Sequence, residues 1–224
     1  MISYTLIRSK RKTAAIHVHY DGVEVRAPLR MPKRDIDSFV LSKEKWIAEK
    51  VAILRERSDD RESFRLDYGC SIPLRGTLYP IAVSEGQIGF DGDCFRVPQD
   101  LSSEEIRYTC IQIYRMIANK VIESRLVGFA GQMGVSYNSV KISGAQKQWG
   151  SCTARGSLNF SWRLMMADDE VIDYVIVHEL AHLIELNHSA RYWTIVERVI
   201  PDFRARKKRL NELHYKLLGQ NWKE

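Results

Sequence analysis

The sequence contains no uninterrupted run of about 18 apolar residues, the length that a helix needs to cross a bilayer. Its first twelve residues carry basic side chains where a secretion signal would need an apolar stretch. Internal repeats and low-complexity segments are also missing. We therefore expect a cytoplasmic protein that has no membrane contact.

Cysteine is scarce, and the four cysteines form no C-x-x-C pair. Cysteine-based zinc sites and disulfide frameworks both need characteristic cysteine spacings. We therefore expect reduced thiols that serve mainly in packing, at Cys70, Cys94, Cys110 and Cys152.

The 224 residues are 45% hydrophobic and 28% charged, a balance that is typical of a folded domain and argues against disorder. The net charge is +6, and basic residues cluster at 8–12 and 204–209. Such clusters can contact nucleic acid or an acidic partner. A charge run more often forms a solvated helix face or strand edge, and we favour that interpretation.

The N-terminal half has mainly strand character. Apolar and polar residues alternate over 14–28 around Asp21-Gly22, which predicts a β-hairpin. Helical spacing predicts one helix near 33–57, and residues 64–98 return to strands separated by glycine-containing turns. We therefore predict a β-rich region with one helix over residues 1–100, as a separate lobe or as an extension of the core.

The C-terminal half, residues 101–224, has mainly helical character. An S-x-x-E sequence at 102–105 predicts the start of a long helix that ends near 131–134. A later helix begins at Asp168-Asp169, is apolar nearly all round and is expected to end at Asn187, so it should be buried. The remaining predicted elements are strands at 135–142 and 157–164 and helices at 189–199 and 202–218.

The buried helix contains the pattern H-E-x-x-H at residues 178–182. Two histidines four residues apart project from one helix face, so His178 and His182 can both reach a single tetrahedral zinc ion. In this arrangement Glu179 acts on the metal's water as a general base. Burying an uncharged polar group without a partner costs about 2–7 kcal/mol, and a bound cation would remove this difficulty.

A third metal ligand is expected after the helix. Catalytic zinc sites usually have three protein ligands and one open position for water. His188 follows the predicted helix end, where the chain can turn back, and we predict it as the third ligand. Glu185 is the alternative. Metzincins commonly have glycine at the position of Glu185, so a metzincin turn is not expected.

Further motifs surround this segment: Trp149-Gly-Ser-Cys152 before it, Asp173–Val177 leading into it and Asn187-His188-Ser189 after it. Together with residues 178–182 they resemble the YgjP-like family of predicted metal-dependent hydrolases, relatives of SprT-like and WLM metallopeptidases. The N-terminal half resembles the family at Arg8–Lys12, Val25–Pro28 and Lys45–Ile47. Gln148 departs from the family pattern, in which a basic residue precedes the tryptophan.

The resemblance implies a zincin-like core with three histidine ligands and a glutamate base. We predict an α+β fold in which the metal helix of a minimal zincin core, residues 101–224, packs against a small antiparallel sheet. The predicted activity is Zn²⁺-dependent hydrolysis of amide bonds in a peptide or protein substrate. The predicted metal ligands are His178, His182 and His188, and the predicted base is Glu179.

The roles of neighbouring residues stay open between chemistry and packing. Trp149, Gly150 and Ser151 could shape an edge strand along which a peptide lies, or Trp149 could pack against the metal helix. Tyr192 could polarise a substrate carbonyl, although packing with Trp193 is the better interpretation.

Two alternative functions remain. In one, the protein is a nucleic-acid-associated factor that processes DNA-bound proteins, which predicts salt-sensitive DNA binding. In the other, the zinc is structural in a binding module, so metal loss would unfold the protein and Glu179→Gln would change nothing measurable.

Overall fold

The computed structural model describes residues 2–19 and 22–224. They form two compact units, each described by itself below. The first extends to Phe64 and includes Leu217–Asn221, and the second comprises Arg65–Lys216 with Trp222–Glu224. In both units short sheets are combined with helices, so the predicted α+β class is confirmed.

The first unit contains a three-stranded sheet, β1 (Thr5–Ser9), β2 (Ala15–His19) and β3 (Gly22–Pro28), in the order β1-β3-β2. The strands β2 and β3 are antiparallel, which confirms the hairpin, and β1 runs parallel to β3. Gly22 already pairs with His19. The predicted turn residue Asp21 lies outside the described residues, as does Tyr20.

Two helices, α1 (Lys33–Ser42) and α2 (Glu44–Ser63), replace the single helix predicted near 33–57. At Lys43 the backbone leaves the α-helical conformation, with φ −110° and ψ 9°. The apolar spacing continues through this break, because both helices cover the same core. That core consists of Val23, Val25, Ala27, Ile36, Val40 and Ile47.

The second unit begins with a four-stranded sheet, formed by β4 (Ser71–Leu74), β5 (Thr77–Val83), β6 (Gly89–Phe90) and β7 (Phe95–Val97). The strand order is β4-β5-β7-β6. Phe95 packs against Tyr114 with ring centroids 5.1 Å apart, and the Tyr114 hydroxyl donates a hydrogen bond of 2.5 Å to the Pro73 carbonyl. These contacts join residues from both sides of the boundary predicted between residues 100 and 101.

Tyr114 belongs to the long helix α3 (Ser103–Met133), which runs between the ends predicted for it. Ser102 and Glu105 form a reciprocal capping box at its start. Gly134 ends it in the left-handed conformation, with φ 65°. The residues of α3 that are buried in the core are Ile106, Cys110, Ile111, Ile113, Tyr114, Ala118, Ile122, Leu126 and Ala130.

The sheet beside the metal helix contains both parallel and antiparallel strand pairs, whereas the sequence analysis predicts an antiparallel sheet. It contains β8 (Ser139–Ser143), β9 (Gly150–Cys152) and β10 (Ser157–Ser161), in the order β8-β10-β9. Because the intervening strand β9 forms a hairpin with β10 and takes the far edge, β8 and β10 run parallel. The strand predicted over 157–164 ends earlier, since the chain turns into a 3₁₀ helix at Trp162–Met166.

The predicted buried helix is α4 (Asp169–Ala181), which begins after the side-chain cap of Asp168. It ends at Ala181 rather than at Asn187, since His182 is already its C-cap and the following residues form turns. The helices α5 (Ala190–Val199) and α6 (Phe203–Leu217) lie close to their predicted positions. No helix in the described ranges is long and apolar enough to cross a membrane.

Candidate metal centre

The end of α4 and the segment that follows it bring three histidines together. His178 lies in the last turn of α4, His182 caps it, and His188 lies just before α5. One ring nitrogen from each lies within 4.8 Å of those of the other two. These are the three histidines that the sequence predicts as ligands.

The spacing of the nitrogens suits one metal ion. The Nε2 atoms of His178 and His188 are 3.2 Å apart. Two nitrogens bound to a tetrahedral zinc ion at about 2.0–2.1 Å would lie about 3.3–3.4 Å from each other. A single ion therefore fits between these rings.

His182 is oriented by its own turn. Its Nδ1 lies 3.2 Å from the Glu185 carbonyl oxygen, and a hydrogen on Nδ1 would leave Nε2 as the metal-binding atom. The Glu185 carboxylate is not part of the metal-binding group that the described residues form, and its Oε2 lies 3.9 Å from Nε of Arg191. Glu185 therefore contributes its backbone to the site, and nothing supports it as the alternative ligand.

Burial favours the neutral form of His178 and His188. Burial, followed by the neighbouring His182 and His188, lowers the pKa of His178 to about 3. Burial also lowers the pKa of His188, with a smaller contribution from His182. Metal binding requires the unprotonated ring, so these shifts favour binding at neutral pH.

Two aromatic residues of α5 support the histidines. The buried Tyr192 ring lies 4.6 Å from the His182 ring, and its hydroxyl donates a 2.8 Å hydrogen bond to the His178 carbonyl. Trp193 lies nearly parallel to the His188 ring, 5.6 Å away and tilted by 21°. The Tyr192 hydroxyl is thus bonded to backbone, which supports the packing role over carbonyl polarisation.

Glu179 lies beside the histidines and faces β9. Its side chain is buried, and burial raises its pKa to about 8. A Cβ atom at Gly150 would lie 2.5 Å from Oε1 of Glu179 and 2.6 Å from its Cγ. Only glycine therefore leaves room for the carboxylate here, a role that sequence reasoning missed although it noted the Trp149-Gly-Ser-Cys152 motif.

The model of the YgjP-like metallopeptidase domain matches residues 12–213, most of the chain. The chain belongs to the YgjP-like metallopeptidase family. The predicted resemblance and the predicted enzyme class, a metallopeptidase, are therefore confirmed. Membership also implies a metal ion, and the three convergent histidines could hold one.

Two solved metallopeptidase zymogens resemble part of this YgjP-like protein. Pyrococcus abyssi abylysin is 25% identical, with a TM-score of 0.38, over 43% of this chain and 94% of abylysin. Methanocaldococcus jannaschii jannalysin is 17% identical, with a TM-score of 0.34, over 43% of this chain and 93% of jannalysin. The comparison with curated proteins returns no match.

Several residues of the basic clusters of the YgjP-like protein have partners within their own units. Arg8 donates hydrogen bonds to three backbone carbonyls, those of Pro28, Leu29 and Met31. In the second cluster four residues form ion pairs: Arg204 with Glu197, Arg206 with Asp202, Lys208 with Glu212, and Arg209 with Asp168 and Glu170. These charges have structural partners.

Trp149 contacts α6, whereas the alternatives left open for it were shaping the edge strand and packing against the metal helix. Its ring contacts His214 of α6 edge to face, with centroids 6.3 Å apart. Its carbonyl accepts a 2.8 Å hydrogen bond from the Ser161 backbone, which closes the β9–β10 hairpin. The tryptophan thus supports the strand that carries Gly150.

Proposed function

We propose that the protein is a zinc-dependent peptidase in which His178, His182 and His188 hold the metal and Glu179 is the general base. The observation that carries this proposal is the convergence of three imidazole nitrogens within 4.8 Å beside a buried glutamate, in a metallopeptidase-family chain. The alternatives differ in what they predict for Glu179 and for the basic clusters.

The donor set favours zinc. Three imidazoles on and beside one helix provide three protein ligands, and imidazole nitrogen suits zinc among the common divalent ions. When bound, zinc would polarise the substrate carbonyl and lower the pKa of a bound water toward about 7. The protein's own part is to hold the three rings close together and to fix their directions.

In the proposed mechanism, Glu179 is the residue that accepts and then donates the proton. As a carboxylate it accepts a proton from the attacking water and passes it to the leaving amine. Burial raises its pKa to about 8, but a cation within about 4–6 Å favours the ionised carboxylate. The same residue can therefore act as base while the metal is bound and as acid after taking the proton.

The strand β9 offers a place for the peptide. It lies at one edge of its sheet, where an extended peptide can add as a further strand through backbone hydrogen bonds. A Cβ atom at Gly150 of β9 would lie only 2.5 Å from Oε1 of Glu179, so this strand passes close to the carboxylate. A peptide paired along β9 would thus pass beside the proposed base.

Metal analysis and peptide cleavage test this proposal together. We expect about one zinc ion per chain in the parent protein, and a large loss of zinc in His188→Ala. Glu179→Gln should keep its zinc but lose cleavage of a mixture of fluorescence-quenched peptides by about 100-fold or more, since it lacks the basic carboxylate. Full cleavage by Glu179→Gln would disprove the mechanism, and unfolding on removal of zinc together with no effect of Glu179→Gln would favour the binding-module alternative.

The nucleic-acid-associated alternative has weaker support than peptide hydrolysis. Arg204, Arg206 and Arg209 of the second basic cluster already pair with acidic side chains. Binding of a 20-base-pair duplex that falls steeply between 50 and 200 mM salt would nevertheless favour it.

A further inference from the structure

We propose that a depression beside the metal centre binds a carboxylate of the peptide substrate through the ammonium group of Lys207. The depression is formed by α5 and the start of α6. This inference rests on the proposed peptidase function and adds a preference for acidic peptides or for a free C-terminus.

The depression has an aromatic wall and a size suited to a side chain. Its volume is about 560 Å³, and its lining includes Trp193, Glu197, Phe203, Arg204 and Lys207. The Trp193 and Phe203 rings are stacked, with centroids 5.1 Å apart and planes inclined by 13°. This rigid apolar surface can hold the methylene groups of a substrate residue while its polar end reaches the charges at the rim.

Lys207 supplies a positive charge that has no ion-pair partner among the described residues. Its exposed ammonium lies 4.9 Å from the centre of the Trp193 ring, an attractive position for a cation. No carboxylate among the described residues lies within 4.0 Å of it. The other cation of the depression, Arg204, is bonded to Glu197 at 2.8 Å. Lys207 is therefore the group that is available to an incoming anion.

The ammonium lies within reach of a peptide whose scissile bond is at the metal centre. Trp193 connects the two, because its ring centre lies 4.9 Å from Nζ of Lys207 and 5.6 Å from the centre of the His188 ring. An extended peptide advances by about 3.3 Å per residue. A carboxylate within about three residues of the bond that is cut can thus reach Lys207.

A carboxylate is the complementary group that a peptide can supply. It accepts charge-assisted hydrogen bonds from an ammonium group, whereas the matching amide of Gln or of an amidated C-terminus carries no charge. Such a carboxylate comes either from an Asp or Glu side chain or from the C-terminus. The chemistry of binding is the same for both sources, and the peptides used in the test separate them.

The test measures binding without cleavage. The probes are fluorescent hexapeptides that differ by a single Glu-to-Gln change at successive positions, each with a free or an amidated C-terminus. Binding to zinc-loaded Glu179→Gln is followed by fluorescence anisotropy. We expect one carboxylate position to increase affinity about 2- to 5-fold over its amide, the range of a solvent-exposed ion pair.

Substitutions of Lys207 test whether this residue causes the preference for the carboxylate. Adding Lys207→Met should abolish the preference for the carboxylate, and Lys207→Glu should reverse it toward a Lys-containing peptide. Lys208→Met is the matched control, because Lys208 is the neighbouring exposed residue and pairs with Glu212 at 3.9 Å. It should retain the preference.

Equal affinity for every acid and amide pair would overturn the inference, as would a preference that survives Lys207→Met or an absence of binding by all the peptides. Failure of the proposed function has a different signature. In that case the zinc-loaded parent protein would cleave none of the hexapeptides, while the binding preference and its dependence on Lys207 would persist.

Discussion

Glu179 depends on the absence of a side chain at residue 150. A Cβ atom there would lie 2.5 Å from Oε1, 2.6 Å from Cγ and 2.8 Å from Cδ of Glu179. These separations are far below van der Waals contact, and Glu179 is buried, so it has little space into which to move. The position of the proposed base is thus set by β9 as well as by its own helix.

We expect Gly150→Ala to displace the Glu179 carboxylate and to lower the rate constant for peptide cleavage by about 100-fold, the scale of a 1 Å misplacement. Zinc content should stay near that of the parent protein, because the three histidines are on the other elements. Gly128→Ala is the control, since a Cβ atom there meets nothing within 4 Å. Unchanged cleavage by Gly150→Ala would show that the carboxylate position tolerates the added methyl group.

The candidate ligands can be predicted at the residue scale because their spacing is local. His178 and His182 lie four residues apart at the C-terminal end of one helix, and His188 lies in the short segment between that helix and the next. The contact between Glu179 and Gly150 cannot be read in this way, since it joins a helix to a strand that lies 29 residues earlier in the sequence. Its only trace in the sequence is a glycine inside a recognisable motif.

At the scale of secondary-structure elements, two arginines anchor the start of α4. Arg75 donates two hydrogen bonds of 2.6 Å to the Asp169 carboxylate. Arg125 on α3 pairs with Asp173 and lies 2.8 Å from Asp169. Asp169 also lies in the first turn of α4, where the helix dipole favours negative charge. The helix that carries the histidines is thereby tied to α3 and to the turn between β4 and β5.

Arg125→Met should lower the free energy of unfolding by about 1–3 kcal/mol, because it removes the charged partner of the largely buried Asp173 side chain. Urea denaturation of the metal-free protein measures this. Lys208→Met removes a far more exposed ion pair and should change the free energy of unfolding by less than about 0.5 kcal/mol. An equal, small effect of both changes would mean that Arg125 does not anchor the helix.

Elements can be predicted where their ends are determined locally. Both ends of α3 follow from nearby residues, namely the Ser102–Glu105 capping box and the left-handed Gly134. The break at Lys43 has no comparable signal, because apolar spacing continues across it. The parallel pairing of β8 with β10 depends on which edge β9 takes, and this is decided by tertiary packing rather than by local sequence.

At the scale of the whole molecule, sequence patterns do not reveal which residues that are distant in the chain contact each other across a change of secondary structure. The change from strands to helices near residue 100 suggests a boundary, but Phe95 and Tyr114 pack across that position. The contacts of Glu224 are likewise not predictable from sequence patterns. It accepts hydrogen bonds of 2.7 Å from Arg115 and 2.6 Å from Nε1 of Trp162, contacts that span more than 60 residues of sequence.

Glu224 should make the stability of the second unit depend on pH. Burial by itself would raise the pKa of Glu224, but the hydrogen bonds from Trp162 and Arg115 outweigh it, and the net pKa is lowered from 4.5. The folded state therefore favours the ionised form. Its contribution is fully present above about pH 4.5 and is lost as the pH falls through the lower pKa of the folded state.

We expect Glu224→Gln to lower the free energy of unfolding of the metal-free protein by about 1 kcal/mol at pH 7, a modest value because the carboxylate is partly exposed. The difference from the parent protein should shrink as the pH is lowered below about 4.5, since the parent carboxylate then becomes protonated as well. Urea denaturation at pH 7, 5, 4 and 3 measures this convergence, with the exposed Glu123→Gln as control. A difference that stays constant over this range would show that the ionisation of Glu224 does not stabilise the fold.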